Sequence, residues 1–496
     1  MDKKDLLKLA ISLIPLVILV VLLGLNVSIF GSDSILGASQ VSLLAAAGIC
    51  IILSMWLDKT GWKVFEDAIK DNLSEISTAI IILLLIGGIS GTWTMSGIVP
   101  TFICYGIRII SPKIFLLTAC AICALVSLMT GSSWPTIATI GVALLGIGRA
   151  EGFSDGMIAG AIISGAYFGD KISPLSDTTV LASSMCKVPL FTHIRYMLKT
   201  TIPSITLTLI IFLILGLTHS GTDTEVIDEY VRVLNASFNI TPWVLIVPVL
   251  TALLIARKVP ALPVLAVSTV MAAASALIFQ PDIIRGIGAS VVTDGSNAKA
   301  MLAGTVRTIY DSVSVGTGNP EVDSLVASRG MLGMLNTIFL IICAMCFGAA
   351  MKASGMLETI GRKLVSMAKG RTSLVGSTVV TGTFLNTVVS DQYLSIILSA
   401  NLFSDVYKKE GFEGRLLSRA VEDSATVTSP LIPWSSCGMT QATILSVPTL
   451  TYLPFCFFNI ISPLMSIFIA AIGYKIFRTP PTEESCQESA GTEQTV

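Results

Sequence analysis

Residues 165–184 read GAYFGDKISPLSDTTVLASS. Two carboxylates, Asp170 and Asp177, flank a Ser-Pro break in a chain that is otherwise apolar enough to live in lipid. A charged side chain at a bilayer-centred helix position costs about 2.5–3.5 kcal/mol on insertion scales, so acids are kept there where they have a use. This stretch is therefore the leading candidate for an ion site.

The surrounding composition sets the class. Of 496 residues, 53% are hydrophobic and 13% charged, and the mean hydropathy is +0.82, beyond what a water-facing globular surface allows. Apolar stretches of about 20 residues, the length that crosses a hydrocarbon core as helix, recur from Leu6 almost to Arg478 and leave no sizeable soluble domain. The reading is an all-α polytopic membrane protein whose partner is the lipid bilayer. The start, MDKKDLLKLA followed by apolar residues 9–25, has the basic flank of a signal peptide but no small-residue cleavage site, and reads as a retained first span.

Several function classes drop out. A net charge of −1 with no basic block interleaved with aromatics gives no basis for nucleic-acid binding. Ten cysteines include two CxxC spacings, Cys120 with Cys123 and Cys343 with Cys346, but both lie inside apolar helices and read as small packing residues. With only His193 and His219 as histidines, no zinc, haem or iron–sulfur cofactor is expected. No nucleophile elbow, HExxH or phosphate loop is present, so the chain does not read as an enzyme.

Spans are expected at 6–30, 35–57, 75–95, 113–130 continuing to about 148, 196–217, 242–257, 260–279, 331–351, 373–400 and 450–476. Between them, 154–186 and 416–446 are apolar but interrupted by charges, small residues and a Ser-Pro, the pattern of re-entrant or broken helices. Segments 61–74 and 282–293 have the spacing of interfacial amphipathic helices or connectors. The Gly-, Ser- and Asp-rich stretch 294–330 reads as the longest loop, and the polar tail 479–496 as disordered.

An offset of 256–258 residues aligns the halves: Ser96-Gly97 meets Ser354-Gly355, Ser132-Ser133 meets Ser390-Asp391, and Ser173-Pro174-Leu175 meets Ser429-Pro430-Leu431. The chain thus divides into a first transmembrane repeat, 1–217, a linker, 218–241, and a second repeat, 242–478, each with a broken helix and a re-entrant hairpin. Lys3, Lys4 and Lys8 place the N-terminus in the cytoplasm, while Asp223, Glu225, Asp228 and Glu229 mark the linker as external, which makes the repeats inverted. Lys408, Lys409 and Arg415 fall on the outside in this scheme, against the charge rule.

A proline or glycine break inside a membrane helix frees backbone groups that can face an ion. TGSSWPT at 130–136 and LNTVVSDQ at 385–392 have this character, which nominates Ser132 and Ser133 in one half and Asn386, Ser390 and Asp391 in the other. The partner segments GDKISPLSDTT, 169–179, and EDSATVTSPLIPWSS, 422–436, join acids with hydroxyls. Asp170, Ser173, Asp177 and Thr178 are the candidates in the first, and Asp423, Ser424 and Thr426 in the second. Carboxylates with hydroxyls suit a hard cation such as sodium, with Asp170, Asp177 and Asp391 as the metal-binding acids, and a buried carboxylate can take a proton instead. Each also has a structural reading: Lys171 as a charge partner for Asp170, and Asp177 as a helix cap. Glu422 and Asp423, being adjacent, point to different helix faces, and only one can face the site.

At these residues the chain resembles the NhaC family of sodium/proton antiporters, within the wider ion transporter superfamily. The likeness rests on YFGDKISPLSDTT at 167–179, with TGSSWPT at 130–136, SDQYL at 390–394 and SRAVEDSATVTSPLIPWSSCG at 418–438. It departs at Val180, where that family has an asparagine. The resemblance implies inverted repeats, a scaffold that can form a homodimer, a cell-membrane location and exchange of cytoplasmic sodium for external protons. It also implies an alternative, since family members include sodium-coupled carriers of organic acids such as malate and lactate, and some relatives move amino acids. A small organic anion would then bind through free N–H groups near Ser132 and Ser133.

Membrane-impermeant thiol labelling of single cysteines placed in 218–241 is expected to proceed from outside the cell. Labelling from the cytoplasmic side alone would overturn the inverted arrangement.

Overall fold

A computed structural model describes residues 3–30, 37–75, 77–109, 111–219, 224–257, 259–292, 296–366 and 370–478. The expected disordered tail, 479–496, lies outside them. The first half comprises α1 (Lys3–Phe30), α2 (Ala38–Leu57), α3 (Trp62–Glu75), α4 (Ser77–Met95), α5 (Ile98–Ile109) and α6 (Phe115–Thr130). After a break come α7 (Ser133–Thr136), a π-helical turn and α8 (Val142–Ala150), then α9 (Asp155–Ile172), α10 (Asp177–Met185) and α11 (Leu190–Thr218).

The middle of the chain holds α12 (Thr224–Ser237), α13 (Ile246–Ala256), α14 (Ala261–Phe279), α15 (Pro281–Ala289), α16 (Asn297–Tyr310) and α17 (Pro320–Leu325). The second half continues with α18 (Leu335–Ala353), α19 (Met356–Ser366), α20 (Gly370–Val389), α21 (Gln392–Lys409) and α22 (Gly414–Val421), which runs into a π-helical turn at Glu422–Thr426. It closes with α23 (Ser436–Leu445), α24 (Thr449–Tyr452) and α25 (Phe457–Ile472). Seven helices among the described residues are long and apolar enough to cross a membrane, and up to ten spans result if three bent pairs are each counted as one. This is a multi-pass membrane protein.

Three expectations change. The acidic 218–241 segment contains the helix α12, and the 294–330 segment is not a loop but holds α16 and α17 with a single β-bridge between Val313 and Ser328. Gly288 lets α15 and α16 approach so closely that a Cβ there would lie 1.8 Å from the carbonyl oxygen of Ala300. This tertiary contact stabilises helix where polarity alone suggested coil. The span expected at 450–476 is bent by 56° between Phe455 and Phe457, whereas the break expected within 385–392 falls between α20 and α21 at Ser390, a non-glycine residue with φ 62°.

Breaks of this kind recur. Residues with positive φ pair up at separations of 258 or 259: Lys59 with Gly318, Gly97 with Gly355, Gly131 with Ser390, Gly152 with Gly411 and Lys187 with Ser446. The N-cap positions follow the same rule, since Ser132 opens α7 where Asp391 opens α21, and Ser176 opens α10 where Ser435 opens α23. The local structure of the first half therefore recurs in the second. Positive φ is strained for an L-residue, so five such pairs at a common spacing mark corresponding chain turns.

The hairpin segment packs against its own half through glycines. A Cβ at Gly165 would sit 2.1 Å from the carbonyl oxygen of Cys120, and one at Gly169 would sit 2.3 Å from that of Ala124. The Ser127 hydroxyl donates to the Ala166 carbonyl at 2.6 Å across the same seam. Without a hydrophobic drive between helices in lipid, such backbone approach and interhelical hydrogen bonding supply the association. The α6–α9 pair is thereby a rigid unit that fixes where the end of α9, with Asp170 and Lys171, stands.

Replacing Gly165 by Val is expected to abolish the monodisperse peak of the detergent-solubilised protein in size-exclusion chromatography, since overpacking costs about 1–3 kcal/mol or more. Gly376→Ala, where a Cβ meets nothing within 4 Å, is expected to leave the unfolding temperature unchanged or raise it.

Candidate functional site

Gly131, with φ 71°, ends α6, and Ser132 is extended before α7 begins. A Cβ at Gly131 would lie 2.6 Å from that of Leu175, so glycine serves both the turn and the approach of the Ser-Pro segment. This break exposes the first N–H groups of the α7–α8 unit, which lack partners inside a helix. Asp170 fills that role. Its Oδ2 accepts from the Ser133 backbone N–H at 3.1 Å and from the Ser133 hydroxyl at 2.8 Å, and its Oδ1 accepts from the Ser176 hydroxyl at 2.6 Å. The carboxylate is 5% exposed and is satisfied by neutral donors.

Asp170 borders a cavity of about 630 Å³. Its polar side carries Asp177, Ser132, Ser133, Ser176 and Thr178, with Gln392 and Tyr393 brought in from the start of α21. Its apolar side is built by Ile82 of α4, Val264 and Leu265 of α14, and the preceding Val259 and Pro260. Among the described residues no lysine, arginine or histidine lines it. Asp177, in the first turn of α10, is exposed into this space. It is not the cap: Ser176 is, accepting from the Thr179 N–H.

Five of the twelve nominated residues line the cavity: Asp170, Asp177, Thr178, Ser132 and Ser133. The other seven stand outside its lining. Ser173 ends α9 and donates to the Leu128 carbonyl at 2.9 Å. Asn386 donates to the Ala425 carbonyl at 2.7 Å and to the Thr428 hydroxyl at 3.1 Å, bracing the second broken helix. Ser390 supplies the carbonyl that accepts from the Ser436 N–H at 2.8 Å. Asp391 caps α21, its Oδ1 accepting from the Leu394 N–H at 3.0 Å, and its Oδ2 accepts from Ser436 at 3.4 Å. It stands beside the cavity-lining Gln392 without entering the lining itself. Ser424 donates to the Ala420 carbonyl at 2.7 Å inside its own helix. Thr426 is fully buried in the same turn.

Asp423 corrects two readings at once. Its Oδ1 forms a salt bridge with Lys171, and both side chains are fully buried. Lys171 is therefore the partner of an acid from the opposite half, not of its neighbour Asp170. Among the described residues no group of three His, Cys, Asp or Glu side chains is placed to hold a metal ion, so Asp170, Asp177 and Asp391 do not form one cluster.

The sequence reading missed Ser176, Gln392, Tyr393 and Trp134, and gave Lys171 the wrong partner. Ser176 carried a signal, a serine three residues before Thr179 at a helix start. Trp134 belongs to the same break as Ser132 and Ser133, whereas Gln392 and Tyr393 reach the site only through packing between distant segments.

With this geometry in view, comparison with known proteins decides the family. Residues 165–474 match the Na+/H+ antiporter family. The chain belongs to that family. It is 36% identical over 434 residues to the Na+/H+ antiporter NhaC of Alkalihalophilus pseudofirmus, covering 88% of this chain and 90% of the relative. The malate-2H+/Na+-lactate antiporter of Bacillus subtilis is 34% identical, covering 89% and 90%. The arginine/ornithine antiporter ArcD of Halobacterium salinarum is 31% identical, covering 97% and 95%. The similarity spans the cavity-forming segments of both halves.

Ser176→Ala removes the α10 cap and a hydrogen bond to a carboxylate together. The expected loss is about 1–3 kcal/mol, read as a lowered unfolding temperature in detergent, whereas Ser176→Thr, which keeps the hydroxyl, is expected to recover most of it.

Proposed function

We propose that this protein is a secondary active transporter of the cell membrane that exchanges sodium for protons by alternating access, with its N-terminus in the cytoplasm. The observation that carries this reading is the Asp170–Asp177 cavity, lined by two carboxylates and several hydroxyls and, among the described residues, by no cationic side chain. A hard cation takes oxygen ligands of this kind. Ser132, Ser133, Ser176, Thr178 and the Gln392 amide line the same cavity and offer the further oxygens of such a set.

Exchange follows from the economy of charge in a low-dielectric site. A buried carboxylate needs a positive partner, and one negative charge is neutralised by sodium or by a proton. When sodium enters, the proton leaves, and the reverse. Alternating access then requires that the cavity open to one side at a time, and broken helices in two corresponding halves provide the mobile frame. The recurrence of the same chain breaks in both halves supports the reading, because an inverted relation between them would offer two equivalent arrangements of one architecture.

One observation favours a second substrate. At about 630 Å³ the cavity has the size of a small-molecule site, more than a sodium ion fills, and a relative is named for carrying malate and lactate with sodium and protons. A sodium-coupled organic anion or amino acid is the alternative cargo. Against it, the Ser133 N–H that such an anion would use is already bonded to Asp170.

Purified protein in liposomes with a trapped pH dye is expected to move protons on a sodium pulse. Asp170→Asn and Asp177→Asn are each expected to reduce that signal at least tenfold while the protein remains monodisperse. Full exchange by both variants would remove the cavity from the transport path, and uptake of labelled malate or lactate without a sodium-driven pH change would favour the alternative.

A further inference from the structure

The Lys171–Asp423 pair lies behind the cavity wall and has no part in the mechanism described so far. Lys171 stands in the last turn of α9, next to Asp170, and its ammonium also donates to the Ser462 hydroxyl of α25 at 2.9 Å. Asp423 Oδ1 accepts as well from Ser462 at 2.8 Å and from Thr200 of α11 at 3.5 Å, while its Oδ2 has no hydrogen-bond partner. The Phe458 ring lies 5.7 Å from the ammonium. Four segments thus converge on one buried charge pair: the hairpin of the first half, the π-helical turn of the second, α11 and α25.

A fully buried ion pair is rarely a gain in stability over apolar packing, because desolvating two charges offsets their attraction. A lysine also has a flexible four-carbon stem and reaches several ångströms from its backbone. Lys171 follows directly on Asp170, yet among the described residues the hydrogen bonds to the Asp170 carboxylate come from neutral serines. The ammonium is drawn to the opposite side by Asp423. Were it released, the acids within its reach would be Glu422, buried beside Asp423, and Asp170, its neighbour in the chain, and a lysine bound at Asp170 would occupy the place of the transported cation.

We propose that Asp423 is a positioning residue that holds Lys171 away from Asp170, so that the cavity carboxylate stays open to an external cation. This rests on the sodium/proton reading of the cavity. Asp423 then governs cation affinity without touching the cation, and the pair ties the affinity of a first-half acid to the position of the second-half broken helix.

The test measures sodium-driven proton exchange in proteoliposomes across a range of sodium concentrations. Asp423→Asn frees Lys171, and the half-saturating sodium concentration is expected to rise at least tenfold with the maximal rate within about threefold of the starting protein. In the double variant Lys171→Met/Asp423→Asn the competing ammonium is gone, and half-saturation is expected to return to within about threefold. A purely structural role would lower the yield or the maximal rate and leave half-saturation in place. An unchanged half-saturation in Asp423→Asn overturns the proposal, and so does a double variant as impaired as the single one, which would make Asp423 a sodium ligand. If Asp423→Asn does not yield monodisperse protein, the double variant alone decides, because it removes both members of the pair: near-normal half-saturation supports the proposal and a tenfold rise overturns it. Absence of any sodium-driven proton movement in the unsubstituted protein overturns the cavity reading and this proposal together, whereas an active protein with an indifferent Asp423 overturns only this one.

Discussion

The bond between the Asp170 carboxylate and the start of the α7–α8 unit is the interaction on which the site depends. An acid at 5% exposure in an apolar bundle needs donors at once. It finds them where a helix has been interrupted, because only there are backbone N–H groups unspent. Gly131 makes the interruption, the Ser-Pro turn brings up Ser176, and both sides of Asp170 are met by serine donors. The break and the acid explain each other: each would be costly alone.

Charge is sorted around this point. The wall facing the cavity carries acids, hydroxyls and an amide, whereas the lysine that follows Asp170 is turned into the protein and matched with an acid of the other half. Further contacts cross the same seam. Gln441 donates to the Tyr167 hydroxyl at 3.3 Å, and the His193 ring and the Ser418 hydroxyl are hydrogen-bonded at 2.8 Å. Neither half is therefore complete by itself, and movement of one broken helix is felt by the other through these polar joints.

Much of the architecture was legible in the chain because lipid imposes simple requirements. Apolar runs of spanning length, glycine and proline breaks at 130–136, and the Ser-Pro segments each report a local constraint that holds whatever surrounds them. Asp170, Asp177, Thr178, Ser132 and Ser133 were recognisable for the same reason: acids and hydroxyls beside a helix break are conspicuous in an apolar sequence. The helices α12 and α16 were not, since they lie in polar connecting stretches between the apolar spans, and close packing at Gly288 stabilises α16. The second-half candidates stand outside the cavity lining. Asn386, Ser424 and Thr426 have the right chemistry, but their hydroxyls and amide face the helices that they brace or lie buried within them.

By itself the sequence determined that this is an all-helical membrane protein with acids near broken helices and a family resemblance carried by those same residues. Only the tertiary structure decided which acid faces a cavity and which is neutralised. Asp170 and Asp423 are alike in residue type, burial and neighbourhood of hydroxyls, and their roles separate because a lysine stem bends toward one and away from the other. That choice depends on which segments converge around the ammonium, and residues 171, 200, 423 and 462 meet only when the chain is folded.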